Sequence, residues 1–184
     1  MKVFINPGHC VLNDPGAIGI NGLKEADVSK SIGDFLSHEL EVLGYETKLC
    51  QNDSLEEVCE QANDWDADLF ISIHCNAAHN PQAYGTEIWT YHGESLSDKA
   101  ATEVMNSMSY AFPDLFIRSD FSDGDVDKEA GFYVLKHTMM PAILIETAFI
   151  SNPYEELFLA SSTNQQYIAI AIADGISNFF DNCL

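Results

Sequence analysis

Three side chains with ligand chemistry each follow a short apolar run of the sequence. They are His9, His74 and Glu146. Apolar runs without strict polar alternation are typical of strands that are covered on both faces, as in a mainly parallel sheet. The carboxyl ends of parallel strands share one edge, where ligands of open α/β sheets bind. We therefore expect the two imidazoles and the carboxylate to converge on one crevice.

A second carboxylate, Glu25, precedes the apolar stripe of the first predicted helix. A helix that follows such a strand begins at the same edge of the sheet, although Glu25 could simply stabilise the helix N-terminus through the helix dipole. Zinc favours His nitrogen and carboxylate oxygen, and catalytic zinc sites use three protein ligands and keep one position open. His9, Glu25 and His74 supply such a set, which leaves Glu146 as the carboxylate that handles protons in hydrolysis.

Two cysteines, Cys10 and Cys75, adjoin the histidines and are rival ligands. Successive side chains of a strand point to opposite faces, so we do not expect His74 and Cys75 to share one ion. The five cysteines include no Cys-x-x-Cys pair, which favours free thiols over disulfides. The other histidines lack a comparable position and are interpreted as surface or supporting residues: His38, His79, His92 and His137.

The elements that must position these groups follow from the hydropathy pattern. Apolar runs predict strands at residues 2–5, 46–50, 69–73, 86–91, 132–135 and 142–145. Apolar residues at steps of three and four predict helices at residues 28–43, 55–65, 96–111 and 165–180, and Gly44 stands where the first helix should end. The alternation of strands and helices indicates an α/β domain with a mainly parallel sheet between layers of helices.

Length and charge exclude several classes of protein. The chain of 184 residues is predicted to be a single domain over residues 1–184. Its 29 acidic and 8 basic residues give a net charge of −21, without clustered Lys or Arg, so neither nucleic acid nor a membrane surface is an expected partner. The apolar runs are shorter than the roughly 20 residues of a membrane-spanning helix. The N-terminus also lacks the apolar stretch of a signal peptide.

Residues 112–131 form the loosest segment of the chain and are rich in aspartate. The aspartates are Asp114, Asp120, Asp123, Asp125 and Asp127. We interpret the segment as a solvated loop. A calcium site is the alternative, although the spacing of an EF-hand and its terminal bidentate Glu are missing.

Motifs along nearly the whole chain resemble those of zinc-dependent N-acetylmuramoyl-L-alanine amidases, which trim peptidoglycan. In the order of that family they lie at residues 6–9, 14–19, 22–28, 68–77, 85–88, 132–135, 140–146 and 149–153. The resemblance implies a twisted mixed sheet of about six strands with helices on both faces. It also implies that zinc is bound by His9, Glu25 and His74 and that Glu146 is the catalytic carboxylate. Asn6 departs from the pattern, which usually has Asp at this position.

The implied reaction is hydrolysis of the amide between N-acetylmuramic acid and the L-alanine of the stem peptide, with zinc as cofactor and peptidoglycan as substrate. We expect action on the bacterial cell wall, by a phage endolysin released at lysis or by the excised domain of an exported autolysin, with a monomer as the default. Two alternatives remain open. Another zinc peptidase would attack a different amide by the same chemistry, and a wall-binding module would have lost the chemistry.

Overall fold

The computed structural model describes residues 1–10, 12–93, 95–122 and 124–183, so Asp123 of the aspartate-rich loop lies outside the described residues. The strands within these ranges are β1 Lys2–Pro7, β2 Glu46–Leu49, β3 Leu69–Asn76, β4 Glu87–Thr90, β5 Lys128–Glu129 and β6 Ala142–Phe149. The helices are α1 Glu25–Val42, α2 Leu55–Asp64, α3 Leu96–Ala111, α4 Tyr133–His137, α5 Pro153–Leu159 and α6 Ser162–Cys183. Among the described residues, none of these helices combines the length and the apolar character needed to cross a membrane.

The six strands form one mixed sheet in the order β2-β1-β3-β6-β4-β5. The first four strands of this order are parallel to one another, β4 is antiparallel to β6, and β5 is parallel to β4. Helices cover both faces of the sheet, and each face contributes to its own hydrophobic core. The prediction of an α/β domain with a mainly parallel, mixed sheet of about six strands is therefore confirmed.

Alternate side chains of the central strands enter two separate cores. Ile5 and Ile71 lie in the larger core, beneath α1, α3 and α6. Phe4 and Phe70 stack at 5.7 Å between ring centroids in the smaller core, beneath α2 and α4. Each fully buried side chain of this size contributes about 1.5–3 kcal/mol to folding. The smaller core ends before the carboxyl edge of the sheet, where the same face carries Ser72 instead of an apolar side chain.

The strand predicted at residues 132–135 is wrong, because these residues begin helix α4. A short apolar run is compatible with either a buried strand or a buried helix, and periodicity alone does not separate them. In the helix, Val134 and Leu135 bury against the smaller core. The rings of Tyr133 and His137 stack one turn apart, with 3.9 Å between their centroids. Lys136 and His137 lie in the last turn, where basic side chains interact favourably with the helix dipole.

The boundaries of other elements differ from the prediction in ways that matter for the site. Strands β3 and β6 continue past His74 and Glu146, so both residues lie inside strands and not after them. Helix α1 begins at Glu25 and ends where expected, with Gly44 at a φ of 90° directly after the C-cap residue. Strand β5 and helix α5 had no predicted counterpart, because two and seven residues are too few for a periodic pattern.

Candidate metal centre

The candidate site is built around Glu25, which is 4% exposed at the start of α1. Its Oε1 accepts a hydrogen bond from the backbone N–H of Cys75 at 3.0 Å and lies 3.0 Å from His74 Nδ1. Its Oε2 accepts from the backbone N–H of Ala17 at 2.9 Å and lies 3.2 Å from His9 Nε2. The two backbone donors fix the carboxylate so that one oxygen faces each imidazole.

His9 reaches this carboxylate from the loop after β1, with a left-handed φ of 62°. For a residue with a Cβ such a φ costs about 1–3 kcal/mol and persists only where the surroundings fix it. Paired backbone hydrogen bonds of 2.9 Å between Cys10 and Asp14 close the loop, and Asp14 Oδ2 lies 2.7 Å from His9 Nδ1. A carboxylate on one ring nitrogen orients the other, as is usual for metal-binding histidines. The loop therefore holds His9 Nε2 towards Glu25.

Two glycines let the backbone pass close to the ligand side chains. A Cβ built on Gly8 would lie 2.2 Å from Cε1 of His74. A Cβ built on Gly16 would lie 2.6 Å from Cδ2 of His9 and 2.7 Å from Oε2 of Glu25, and the φ of 67° at Gly16 is in the left-handed region. Any side chain at either position would displace a candidate ligand.

Glu25 and His9 hold each other in their charged forms. Burial alone would raise the pKa of Glu25, but hydrogen bonds from His74 and His9 outweigh it and hold that pKa well below its usual range. The hydrogen bond to Glu25 in turn raises the pKa of His9 to about 9. A metal ion needs the neutral imidazole and competes with this proton. Metal affinity at the cluster must therefore increase as the pH rises towards 9.

Glu146 lies beside the cluster, as the register partner of His74 on the neighbouring strand. Among the described residues its Oε2 is buried without a hydrogen-bond partner. Burial raises the pKa of Glu146 to about 7, against the opposing charge of His74. A carboxyl group with this pKa and a free oxygen can accept and return a proton near neutral pH.

The candidate residues open into one cavity of about 310 Å³ at the carboxyl edge of the sheet. His9, His74 and Glu146 line it, whereas Glu25 lies behind the imidazoles. Phe132 and Tyr133, at the start of α4, also line this cavity. The structure thus brings all four predicted residues together, with His9, His74 and Glu146 at the cavity wall and Glu25 behind the two imidazoles.

The rival cysteine ligands stand apart from the cluster. Cys75 is 2% exposed within the larger core, and its Sγ lies 3.6 Å from the hydroxyl of Thr147. It therefore points to the face opposite His74, and burial raises the pKa of its thiol well above the usual value. Cys10 is not part of the metal-ligand cluster, and all five cysteines are free.

Two supporting carboxylates were missed from the sequence. Asp14 fixes His9, and its only signal was a place in an Asp-Pro-Gly turn. Glu156 of α5 is 1% exposed and accepts the backbone N–H groups of Asn21 and Leu23, which fixes the loop leading into Glu25. Since α5 itself was not predicted, nothing in the sequence pointed to Glu156.

Asn6, the departure from the resembled pattern, supports the sheet below the cavity. Its Nδ2 donates to the carbonyl of Cys50 at 3.0 Å, and its Oδ1 accepts from Ser72 Oγ at 3.0 Å. A carboxylate at this position could not donate to that carbonyl. The partner of His9 is Asp14, so the departure at Asn6 leaves the orientation of His9 intact.

The donor set fits a catalytic zinc ion. One ligand atom from each of His9, Glu25 and His74 lies within 4.8 Å of the others. Imidazole nitrogen and carboxylate oxygen bind zinc at about 2.0–2.2 Å, and catalytic sites have three protein ligands where structural sites have four. The unpartnered oxygen of Glu146 lies beside the cluster and is available for proton transfer, which a purely structural ion does not need.

The sequence of the chain matches a known family model and curated relatives. A family model described as N-acetylmuramoyl-L-alanine amidase matches residues 3–178. The amidase AmiC of Neisseria meningitidis is 30% identical over 97% of this chain, and the amidase LytC of Bacillus subtilis is 34% identical over 97% of it. The chain spans 52% of AmiC and 35% of LytC.

Solved structures share the fold over the full length of the chain. The amidase AmiC2 of Nostoc punctiforme superimposes with a TM-score of 0.89 at 32% identity, covering 99% of this chain and 98% of that one. An N-acetylmuramoyl-L-alanine amidase from Clostridium difficile has a TM-score of 0.86 at 29% identity, covering 100% and 98%.

Proposed function

Because the chain belongs to the N-acetylmuramoyl-L-alanine amidase family, we propose that it hydrolyses the amide between N-acetylmuramic acid and L-alanine in peptidoglycan. In this proposal zinc is the cofactor, His9, Glu25 and His74 are its ligands, and Glu146 is the general base and acid. The observation that carries the proposal is the three-ligand cluster next to the unpartnered oxygen of Glu146.

In the proposed mechanism each residue of the site has a separate role. When bound, zinc would supply Lewis-acid chemistry, which polarises an amide carbonyl and lowers the pKa of water to about 7. Glu146 accepts the proton of the attacking water on its free oxygen and returns it to the departing alanine nitrogen. Asp14 holds the ring of His9, and the backbone donors to Glu25 keep its oxygens in place. No covalent intermediate with the protein is required.

The products of peptidoglycan digestion test the proposed bond specificity. Purified cell wall is incubated with the zinc-loaded protein, and the soluble products are analysed by mass spectrometry. We expect intact stem peptides that begin with L-alanine, together with glycan that lacks them. A chelator should stop their release, and added zinc should restore it. Cleavage within the stem peptide would instead identify an endopeptidase or carboxypeptidase, and the absence of any product would support a wall-binding module.

We further propose that the protein acts on the cell wall, outside the membrane. This proposal rests on its relatives, which are named N-acetylmuramoyl-L-alanine amidases. The net charge of −21 disfavours electrostatic attachment to anionic wall polymers. Affinity for the substrate therefore has to come from the cavity and its rim. Release as an endolysin and export as an autolysin domain both remain compatible with this site, and a monomer is sufficient because all four residues come from one chain.

Replacing Gly8 with alanine is expected to weaken zinc binding without removing a ligand. The new Cβ would lie 2.2 Å from Cε1 of His74, so the imidazole must shift from its present position beside Glu25. We expect the zinc affinity to fall by about 10–100-fold, the range seen when groups that orient ligands are removed. Isothermal titration calorimetry measures this directly. The matched control is Gly131→Ala, where an added Cβ meets nothing within 4 Å. Equal affinities of the two variants would contradict the assignment of His74.

A further inference from the structure

A second group of acidic side chains lies away from the proposed catalytic site, between α3 and β5. Asp98 is in the first turn of α3, and Asp125 and Asp127 lie in the segment that leads into β5. One carboxylate oxygen from each residue lies within 4.8 Å of the others. The aspartate-rich loop therefore meets Asp98 of helix α3. The spacing of the aspartates within the loop could not predict this contact.

Each of the three carboxylates has one oxygen left over. The Oδ1 atoms of Asp98, Asp125 and Asp127 are buried and have no hydrogen-bond partner among the described residues. The other oxygens of two of them are already used: Asp98 Oδ2 accepts the backbone N–H of Ser95, and Asp127 Oδ2 accepts from Thr90 Oγ1 at 2.7 Å. Asp127 is the decisive member because it is 2% exposed, so water cannot readily satisfy its free oxygen.

Three carboxylates this close repel one another, and the hydrogen bonds from Thr90 and Ser95 offset only part of that repulsion. The positive end of the α3 dipole is equivalent to about half a charge and stabilises mainly Asp98. Burial raises the pKa of Asp127 to about 7, and the charges of Asp125 and Asp98 act in the same direction. A proton shared by one pair would leave the third oxygen unpartnered. A divalent cation would satisfy all three.

We propose that Asp98, Asp125 and Asp127 bind a calcium ion. Calcium takes oxygen ligands at about 2.3–2.6 Å, so ligands across the ion are separated by up to about 5 Å, which matches the spread of these oxygens. An adjoining cavity of about 360 Å³, lined by Asp98, Asp125 and Glu103 among others, leaves room for water or further oxygens to complete six to eight ligands. The all-oxygen donor set disfavours zinc, which prefers nitrogen and sulfur.

The ion would tie an edge of the sheet to helix α3. Asp127 is followed by Lys128, whose Nζ donates to Oε2 of Glu87 at 2.7 Å, and Glu87 is the register partner of Glu146 on β6. Calcium binding would therefore stabilise the segment that carries this contact. Its role is structural, since no side chain of the proposed catalytic mechanism belongs to the cluster.

Calcium titration of the zinc-loaded protein tests the proposal. Calorimetry should detect one calcium ion per chain in addition to zinc. Sites of this kind bind with a Kd of about 0.1 mM in extracellular modules. At 10 mM calcium, a hundredfold excess over that Kd, the Tm should rise by about 5–10 °C. An unchanged Tm and no heat of binding would overturn the proposal in favour of a shared proton, and an equal rise with magnesium would overturn the preference for calcium.

Charge-matched variants distinguish a specific calcium site from non-specific screening of the negative surface charge by calcium. Asp125→Asn should abolish the calcium-dependent rise in Tm and should itself raise the Tm in calcium-free buffer, because one repelling charge is removed. Asp114→Asn removes the same charge from an exposed position of the same loop and should keep the wild-type response. If Asp125→Asn responded to calcium as Asp114→Asn does, the assignment of the ligands would be wrong.

Discussion

Replacing Glu146 with glutamine is expected to lower kcat by about 10²–10⁴-fold, the usual contribution of a general base and acid. The amide has nearly the shape of the carboxylate but cannot accept the proton of the attacking water. Because Glu146 is not one of the proposed ligands, zinc content should remain at one ion per chain by elemental analysis. The Tm should not fall, since the buried oxygen has no partner to lose among the described residues.

The pH profile gives this variant a second readout. Burial raises the pKa of Glu146 to about 7, and a divalent cation bound beside it would lower the value again. The base must be deprotonated, so kcat of the wild-type enzyme should fall as the pH drops through a midpoint below 7. Glu146→Gln should lose this acid limb. Glu60→Gln, an exposed carboxylate on α2, is the control and should keep both rate and profile. Activity of Glu146→Gln within tenfold of wild type would reject the role of Glu146.

The sequence was sufficient to predict that the four candidate residues converge, because their positions follow from topology. Parallel strands bring residues near their carboxyl ends to one edge, and β1, β3 and β6 are adjacent and parallel. His74 and Glu146 are therefore neighbours independently of the conformation of the connecting loops. Glu25 joins them because α1 starts at the same edge. The predicted ends of β1, β3 and β6 were two to four residues too early, but this did not matter, since the side-chain direction of His74 and Glu146 depends only on alternation.

What the sequence did not predict depends on loops and on short elements. The orientation of His9 needs a left-handed φ and a carboxylate five residues later, and neither has a periodic signature. Glu156 acts from a seven-residue helix on a loop more than 130 residues away. The proposed calcium ligands combine the first turn of helix α3 with the segment that leads into a two-residue strand. In each case the contact is set by tertiary packing, which hydropathy patterns do not encode.

Replacing His74 with alanine is expected to remove both zinc and activity while the protein stays folded. Two ligands would remain, and the zinc affinity should fall by more than about 100-fold, since even groups that only orient ligands contribute 10–100-fold. Folding should survive because Glu25 keeps the backbone donors of Ala17 and Cys75. Elemental analysis of the purified variant, with circular dichroism as the folding check, measures the outcome.

His38→Ala is the matched control for that experiment, because His38 is exposed on α1 and belongs to no ligand cluster among the described residues. It should retain zinc and full activity. A His74→Ala protein that still held one zinc ion per chain would remove His74 from the ligand set and require another donor. Glu146→Gln and His74→Ala then separate the two roles: loss of activity with the metal retained assigns a residue to proton transfer, and loss of both assigns it to metal binding. Only if Glu146→Gln and His74→Ala fall on opposite sides of that division does the proposed site hold.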